Sequence, residues 1–239
     1  MRILEGEKVT KHFGGLAALH HVDFDINEGE VVGLIGPNGA GKTTLFNLIS
    51  GSLPTTAGEI RYKGERITGL KPCQICRKGV ARTFQSAKLF AGLTAFQNAL
   101  AAALFGTKRV ISAPDAEKET KELLEFVELS GVETMLAKDL PIASRKRLEV
   151  ARSLATKPDL LMLDEVMAGL NPSEVAQAME LITRIRNKGI TIFMIEHVMK
   201  AIMSVCNRII VLHHGSKIAE GTPEEIATSR TVVEVYLGE

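Results

Sequence analysis

The stretch Gly36-Pro-Asn-Gly-Ala-Gly41-Lys42-Thr43-Thr44 constrains this chain more than any other. It fits G-x-x-x-x-G-K-[ST], the spacing of a phosphate-binding loop. Such a loop has meaning only between a strand and a helix, and both are written beside it. Val31-Val-Gly-Leu-Ile35 is a short apolar run rich in β-branched residues, as a parallel strand buried on both faces requires. Thr44-Leu-Phe-Asn-Leu-Ile-Ser50 reads as a helix stopped by Gly51. The glycines let successive backbone N–H groups turn inward towards phosphate oxygens, and the helix N-terminus adds the positive end of its dipole. Phosphate contacts are expected over Gly36, Pro37, Asn38, Gly39, Ala40, Gly41, Lys42, Thr43 and Thr44. Lys42 is expected at the β- and γ-phosphates and the Thr43 hydroxyl on Mg²⁺.

Composition removes several other classes. A net charge of +1 gives no electrostatic footprint for nucleic acid as the main partner. No apolar run approaches the roughly 18 to 20 residues of a membrane span, and the first residues carry no apolar core of a signal peptide. A cytosolic chain that meets a membrane only through partners is expected. Three cysteines cannot build a disulfide framework. Cys73 and Cys76, at i,i+3 after Pro72, lack evident further zinc ligands and read as free thiols on a helix.

Residues 3–9 and 20–26 have strand character, and Gly58 to Gly64 looks like a strand entering a hairpin. The N-terminal part therefore mixes antiparallel strands with the start of a parallel core. From Pro72 to Lys157 the pattern is mostly helical. Ser112-Ala-Pro114 opens one helix, for which Gly131 is a stop, and another runs from about Arg145 to Thr156. Leu160-Leu-Met-Leu-Asp164 and Ile190-Thr-Ile-Phe-Met-Ile195 are further buried strands, separated by a helix over 173–187. A hairpin from Ile209 to Ala219 turns at His214-Gly215, and a short helical tail follows Pro223.

Asp164 and Glu165 end the second buried strand, the end where α/β folds keep their ligands. Asp164 is expected to hold the Mg²⁺ shell and Glu165 to act as general base on the attacking water. The bland alternative is a solvated pair, or a cap of the next helix. His197 follows the third buried strand, where its imidazole would contact a γ-phosphate or orient the water; a lone histidine is more often structural. Gln85, in Ala81-Arg-Thr-Phe-Gln85, would reach Mg²⁺ or the water through its amide oxygen, or is an ordinary surface glutamine. Phe13 is either a platform for an adenine ring or a core residue at a strand end.

In this order the residues resemble the ATP-binding subunit of ABC transporters over nearly the whole chain. Gly36–Thr43 matches that family's Walker A motif, Asp164 and Glu165 its Walker B, Gln85 its Q-loop, His197 its switch histidine and Phe13 its adenine-stacking aromatic. Within the family, Ala81-Arg-Thr-Phe-Gln85, Arg147-Leu-Glu-Val-Ala-Arg152, Ala168-Gly-Leu-Asn-Pro172 and the Tyr236-Leu-Gly-Glu ending are similar to the G-type ATPase of branched-chain amino acid importers. The resemblance implies a P-loop NTPase with a RecA-like α/β core, an antiparallel β-subdomain and an inserted helical subdomain at about 86–157, within one domain spanning 1–239. It implies ATP and Mg²⁺ as ligands, and transmembrane permease subunits as partners on the cytoplasmic face of the membrane. It also implies a second ATP-binding subunit, identical or related, with two ATP molecules sandwiched between the pair.

One departure stands out. Where the family's signature usually reads Leu-Ser-Gly-Gly-Gln, this chain has Leu140-Pro-Ile-Ala-Ser144. Pro141 has neither a hydroxyl nor an N–H for a γ-phosphate. Either Ser144, the backbone N–H groups and the helix N-terminus make that contact, or this signature serves a weak site. Arg145, Lys146 and Arg147 stand at the same helix start, where cations oppose the dipole. They face a polyphosphate, or they form a solvated basic turn. Val166 and Asn171 are smaller departures, where the family usually has Pro and often Asp. An exporter ATPase, and a nucleotide-gated structural partner with weak hydrolysis, are the alternative functions. A GTPase is disfavoured, since Asn187-Lys188 is followed by Ile190 where a guanine-reading carboxylate belongs.

Overall fold

Strands that must be apolar along their whole length belong in the middle of a sheet covered on both faces. The computed structural model, which describes residues 1–84, 88–106 and 111–237, has three such strands. Every residue of β3 (Val31–Ile35), β7 (Leu160–Asp164) and β8 (Thr191–Ile195) is buried. With β6 (Val80–Arg82), β9 (Arg208–His213) and β10 (Ser216–Gly221) they form a six-stranded sheet in the order β10-β9-β3-β8-β7-β6. All neighbours are parallel except β9 and β10.

Side chains alternate across this sheet into two cores. Ile35, Leu161, Leu163, Ile192 and Met194 pack with Leu148 and Leu154 of α5 (Ile142–Ala155), with Ile182 and Ile185 of α6 (Pro172–Asn187), and with Ile202 of α7 (Met199–Val205). Val32, Leu34, Met162, Phe193 and Ile195 face the other way, onto Leu45, Phe46 and Ile49 of α1 (Lys42–Ile49). That second core is closed by an antiparallel sheet in the order β2-β1-β4-β5: β1 (Arg2–Phe13), β2 (Leu16–Asn27), β4 (Ala57–Tyr62) and β5 (Glu65–Arg66). It contributes Ile3, Leu4, Phe24, Ile26 and Ile60.

Between Pro72 and Lys157 lie α2 (Pro72–Lys78), α3 (Ala95–Phe105), α4 (Ala113–Phe126) and α5. The largely helical reading of this stretch misses β6. Three residues are too few to carry a period, and β6 exists because Val80 and Arg82 pair with Leu160 and Met162. Ser112 caps α4 by accepting the Asp115 N–H. That helix stops at Phe126 rather than near Gly131, because Glu128 turns to φ 61°. The Glu128 carboxylate is engaged there by Arg147 at 3.0 Å and Arg184 at 2.8 Å. Likewise α5 starts at Ile142, earlier than expected, with Pro141 as its extended N-cap. A capping box starts α6: Asn171 accepts from the Ser173 and Glu174 N–H groups, and Glu174 accepts from Asn171 N–H. The chain ends in α8 (Pro223–Thr228) and α9 (Arg230–Leu237). No described helix is long and apolar enough to cross a membrane.

Candidate functional site

The loop after β3 is shaped by two glycines that no other residue can replace. Gly36 has φ 150°, and a Cβ there would lie 2.1 Å from the Leu212 carbonyl oxygen of β9. Gly41 has φ 102°, and its Cβ would lie 2.6 Å from the Ala18 carbonyl oxygen of β2. The loop is thus wedged between the two sheets. Gly41 is the N-cap of α1 and gives no side-chain cap, and no acidic residue stands in the first turn. The leading N–H groups of α1 therefore face the loop with the dipole unopposed, a geometry suited to an anion. The Lys42 ammonium curls back to donate to the Gly36 carbonyl at 2.6 Å and the Pro37 carbonyl at 2.9 Å. Burial lowers its pKa, and Glu165 partly opposes that effect. Thr43 is exposed at the start of α1.

Parallel register brings the acidic groups to this loop. Ile195 of β8 stands opposite Leu34 of β3 on one side and Asp164 of β7 on the other. The residues that follow, Glu165 after β7 and Glu196 and His197 after β8, therefore emerge side by side next to Gly36. A cavity of about 280 Å³ is lined by Ala18, Asn38, Lys42, Thr43, Glu165 and His197, among others. Glu165 has the left-handed φ of 53°, its N–H donating to the Ile195 carbonyl at 2.9 Å. Glu165 Oε1 lies 2.9 Å from His197 Nε2.

Asp164 is only 1% exposed. Its Oδ2 accepts from Arg82 Nη2 at 2.7 Å, and its backbone N–H donates to the Thr83 hydroxyl at 2.9 Å. Its Oδ1 is buried with no hydrogen-bond partner among the described residues. An unmatched anionic oxygen beside a phosphate loop suits a divalent cation, whose remaining ligands would be the Thr43 hydroxyl, phosphate oxygens and water. Glu196 is 3% exposed and accepts from the Met167 N–H at 2.8 Å. Burial, with a smaller push from the Glu165 charge, raises its carboxyl to about 7 against hydrogen bonds from Met167 and His197.

Phe13 is 47% exposed at the end of β1, so it is not a core residue. It pairs with Leu16, two residues before Ala18 at the cavity wall, and Lys11 Nζ stands 5.1 Å from the ring centre. Gln85 lies outside the described residues; Phe84, just before it, donates its N–H to Glu149 Oε1 of α5 at 2.9 Å. Ser144 is half-buried in the first turn of α5, while Pro141 and Ile142 are exposed. Each of the three cations that follow has a partner within the chain. Arg145 donates to the Leu140 and Lys138 carbonyls, Lys146 to the Glu165 carbonyl, and Arg147 to Glu128 and Gln177. The sequence reading gave no role to Arg82, Thr83, Glu149 and Glu196, and did not set Lys146 apart from its two basic neighbours. The first two lie inside the motif quoted for Gln85, and Glu149 is an isolated acid between Leu148 and Val150 on a helix packed against the sheet.

Residues 19–168 match the family described as ABC transporter, and residues 216–239 match that described as branched-chain amino acid ATP-binding cassette transporter. The chain is 42% identical to the high-affinity branched-chain amino acid transport ATP-binding protein BraF of Pseudomonas aeruginosa, covering 99% of this chain and 98% of that one. It is 41% identical to the corresponding LivG protein of Escherichia coli K12, over 99% and 98%. Among solved structures it is similar to the ADP conformation of MJ1267, an ATP-binding cassette of an ABC transporter, with a TM-score of 0.90, 31% identity and full coverage of both chains. It is also similar to MJ0796, a dimeric cassette in a post-hydrolysis state bound to ADP and Pi, with a TM-score of 0.84, 25% identity and coverage of 92% and 99%.

Proposed function

We propose that this chain, which belongs to the ABC transporter family of ATP-binding cassettes, is the ATP-hydrolysing motor subunit of an importer for branched-chain or related amino acids. The observation that carries the chemistry is the pair Glu165 Oε1 and His197 Nε2, 2.9 Å apart on the wall of the phosphate-loop cavity. The amino acid class rests on the likeness to BraF and LivG and on the match of the C-terminal residues.

Three groups bind and orient the triphosphate. The backbone N–H groups from Gly36 to Thr44, Pro37 apart since it has none, surround the phosphates. Lys42 exchanges its two carbonyl partners for phosphate oxygens, and the exposed Phe13 ring stacks on the adenine. Thr43, Asp164 and, as expected from the sequence, Gln85 would hold Mg²⁺, which when bound neutralises charge on the β- and γ-phosphates. Glu165 accepts a proton from the attacking water as that water's oxygen bonds to the γ-phosphorus and the bond from the γ-phosphorus to the β–γ bridging oxygen breaks, ADP leaving with the electron pair. In the tautomer with the proton on Nε2, His197 donates to Glu165 Oε1 and fixes the direction of that carboxylate.

Each site is completed by the α5 N-terminus of a second ATP-binding subunit, identical or related. Pro141 offers no donor, so the amides that begin α5 and the Ser144 hydroxyl serve in place of the usual serine and glycines. Nucleotide-driven closure of the pair would move transmembrane permease subunits, which hold the chain at the cytoplasmic face of the membrane.

The test is ATP turnover with Mg²⁺, first for the chain alone and then in proteoliposomes with its permease. Turnover stimulated by binding protein loaded with leucine, isoleucine or valine supports the reading. Turnover that responds only to other solutes overturns the substrate class, and ATP binding without turnover in either setting overturns the motor role.

A further inference from the structure

Glu165 sits in a backbone conformation that a non-glycine residue adopts only when its surroundings impose it. Its N–H is fixed by the Ile195 carbonyl of β8. Its own carbonyl accepts from Ala168 N–H at a long 3.3 Å, and from Lys146 Nζ at 3.0 Å. Lys146 comes from the first turns of α5, nineteen residues earlier. Its neighbours Arg145 and Arg147 turn to other carbonyls, an amide and a carboxylate, so among the contacts of the described residues Lys146 is the one of the three cations that reaches the end of β7. Beyond it the turn is held again, where Glu196 accepts the Met167 N–H. Ionisable side chains from two other segments thus fasten residues 165 and 167, and the Glu165 carboxylate lies against His197.

We propose that Lys146 is a positioning residue for Glu165: its ammonium holds the Glu165 carbonyl, and through that the left-handed backbone that directs the carboxylate into the cavity. The link also makes the aim of Glu165 depend on where α5 lies. The inference rests on the role proposed for Glu165, but the bond itself can be tested without hydrolysis.

The experiment compares wild type with Lys146→Met, which keeps the aliphatic stem and removes the donor, and Lys146→Arg, which keeps a donor. Two quantities are read: steady-state ATP turnover, and hydrogen–deuterium exchange of peptides covering residues 163–170 in the ATP-bound protein. Lys146→Met is expected to lower kcat by about tenfold or more with KM for ATP within about twofold, as misdirection of a reacting group does. It is also expected to speed exchange at residues 165–168 while leaving β3 and β8 unchanged, and Lys146→Arg is expected to restore most of both. Unchanged exchange at 165–168 overturns the proposal, as does faster exchange throughout α5 and the sheet, which would make Lys146 a general packing residue. Lys146→Ala repeats the comparison should the methionine variant fail to fold. If wild type binds ATP without turning it over, the motor role fails, and the exchange data still decide for or against Lys146.

Discussion

Arg82 Nη2 and Asp164 Oδ2 form an ion pair of 2.7 Å in which both side chains are almost wholly buried. The same guanidinium donates through Nη1 to Asn47 Oδ1 at 2.7 Å and Ser50 Oγ at 3.0 Å. One residue of the edge strand β6 thereby joins the end of β7 to the helix that begins at the phosphate loop. It also occupies one oxygen of Asp164, while the other, Oδ1, is buried with no hydrogen-bond partner among the described residues.

Arg82→Met should therefore be costly. Removing one partner of a buried pair strands the other charge, which typically costs about 3 to 5 kcal/mol. Urea denaturation should show a loss of that order, and the double variant Arg82→Met/Asp164→Asn should recover part of it. A single-variant loss below about 1 kcal/mol would mean that the pair is not formed in solution.

Glu165→Gln keeps shape and removes the acceptor for the water's proton. Turnover should fall by about 10²- to 10⁴-fold, the usual weight of a general base, while a fluorescent ATP analogue still binds. Retained turnover would remove Glu165 from the mechanism.

Glu196 carries a pH signature. Its ordinary value of 4.5 is raised to about 7 in the folded chain, so the native state holds the proton more tightly than the unfolded one. Its contribution is most favourable below pH 4.5 and is lost as pH rises through 7, by about 3 kcal/mol over that window. Burial is the main cause, with Glu165 adding to it and Lys146 opposing. Glu196→Gln keeps an acceptor for Met167 and does not ionise. The stability of the variant relative to wild type should climb between pH 5 and pH 8, followed by urea denaturation at each pH. A difference independent of pH would show that Glu196 titrates normally.

Gly36→Ala tests the wedge between the sheets. With a Cβ directed to within 2.1 Å of the Leu212 carbonyl, the loop or β9 must shift. ATP affinity should fall at least tenfold by calorimetry, with a lowered melting temperature. Wild-type affinity would show that the loop has room that its geometry denies.

Much of this was legible in the sequence because the informative residues are local. The fully apolar runs of β3, β7 and β8 and the glycine spacing between Gly36 and Gly41 each follow from a short window. What stayed hidden is non-local. β6 has three residues and owes its existence to pairing with β7. Arg82 and Asp164 are 82 positions apart, and Lys146 meets Glu165 across 19. The cations after Pro141 read as a uniform basic cluster, yet each is directed to a different partner by the helix twist and by the carbonyls it meets.

The two bonds from Lys42 to the Gly36 and Pro37 carbonyls bear on the heat of binding. An ammonium has three donors, and here two are already matched within the loop. A phosphate arriving at Lys42 replaces these bonds instead of adding to them, so the enthalpy of the new contacts is partly cancelled by those given up. The advantage that remains is one of charge, a dianionic or trianionic oxygen cluster in place of two neutral carbonyls. Affinity at this loop should then rank ligands by phosphate charge more steeply than by the number of hydrogen bonds they accept.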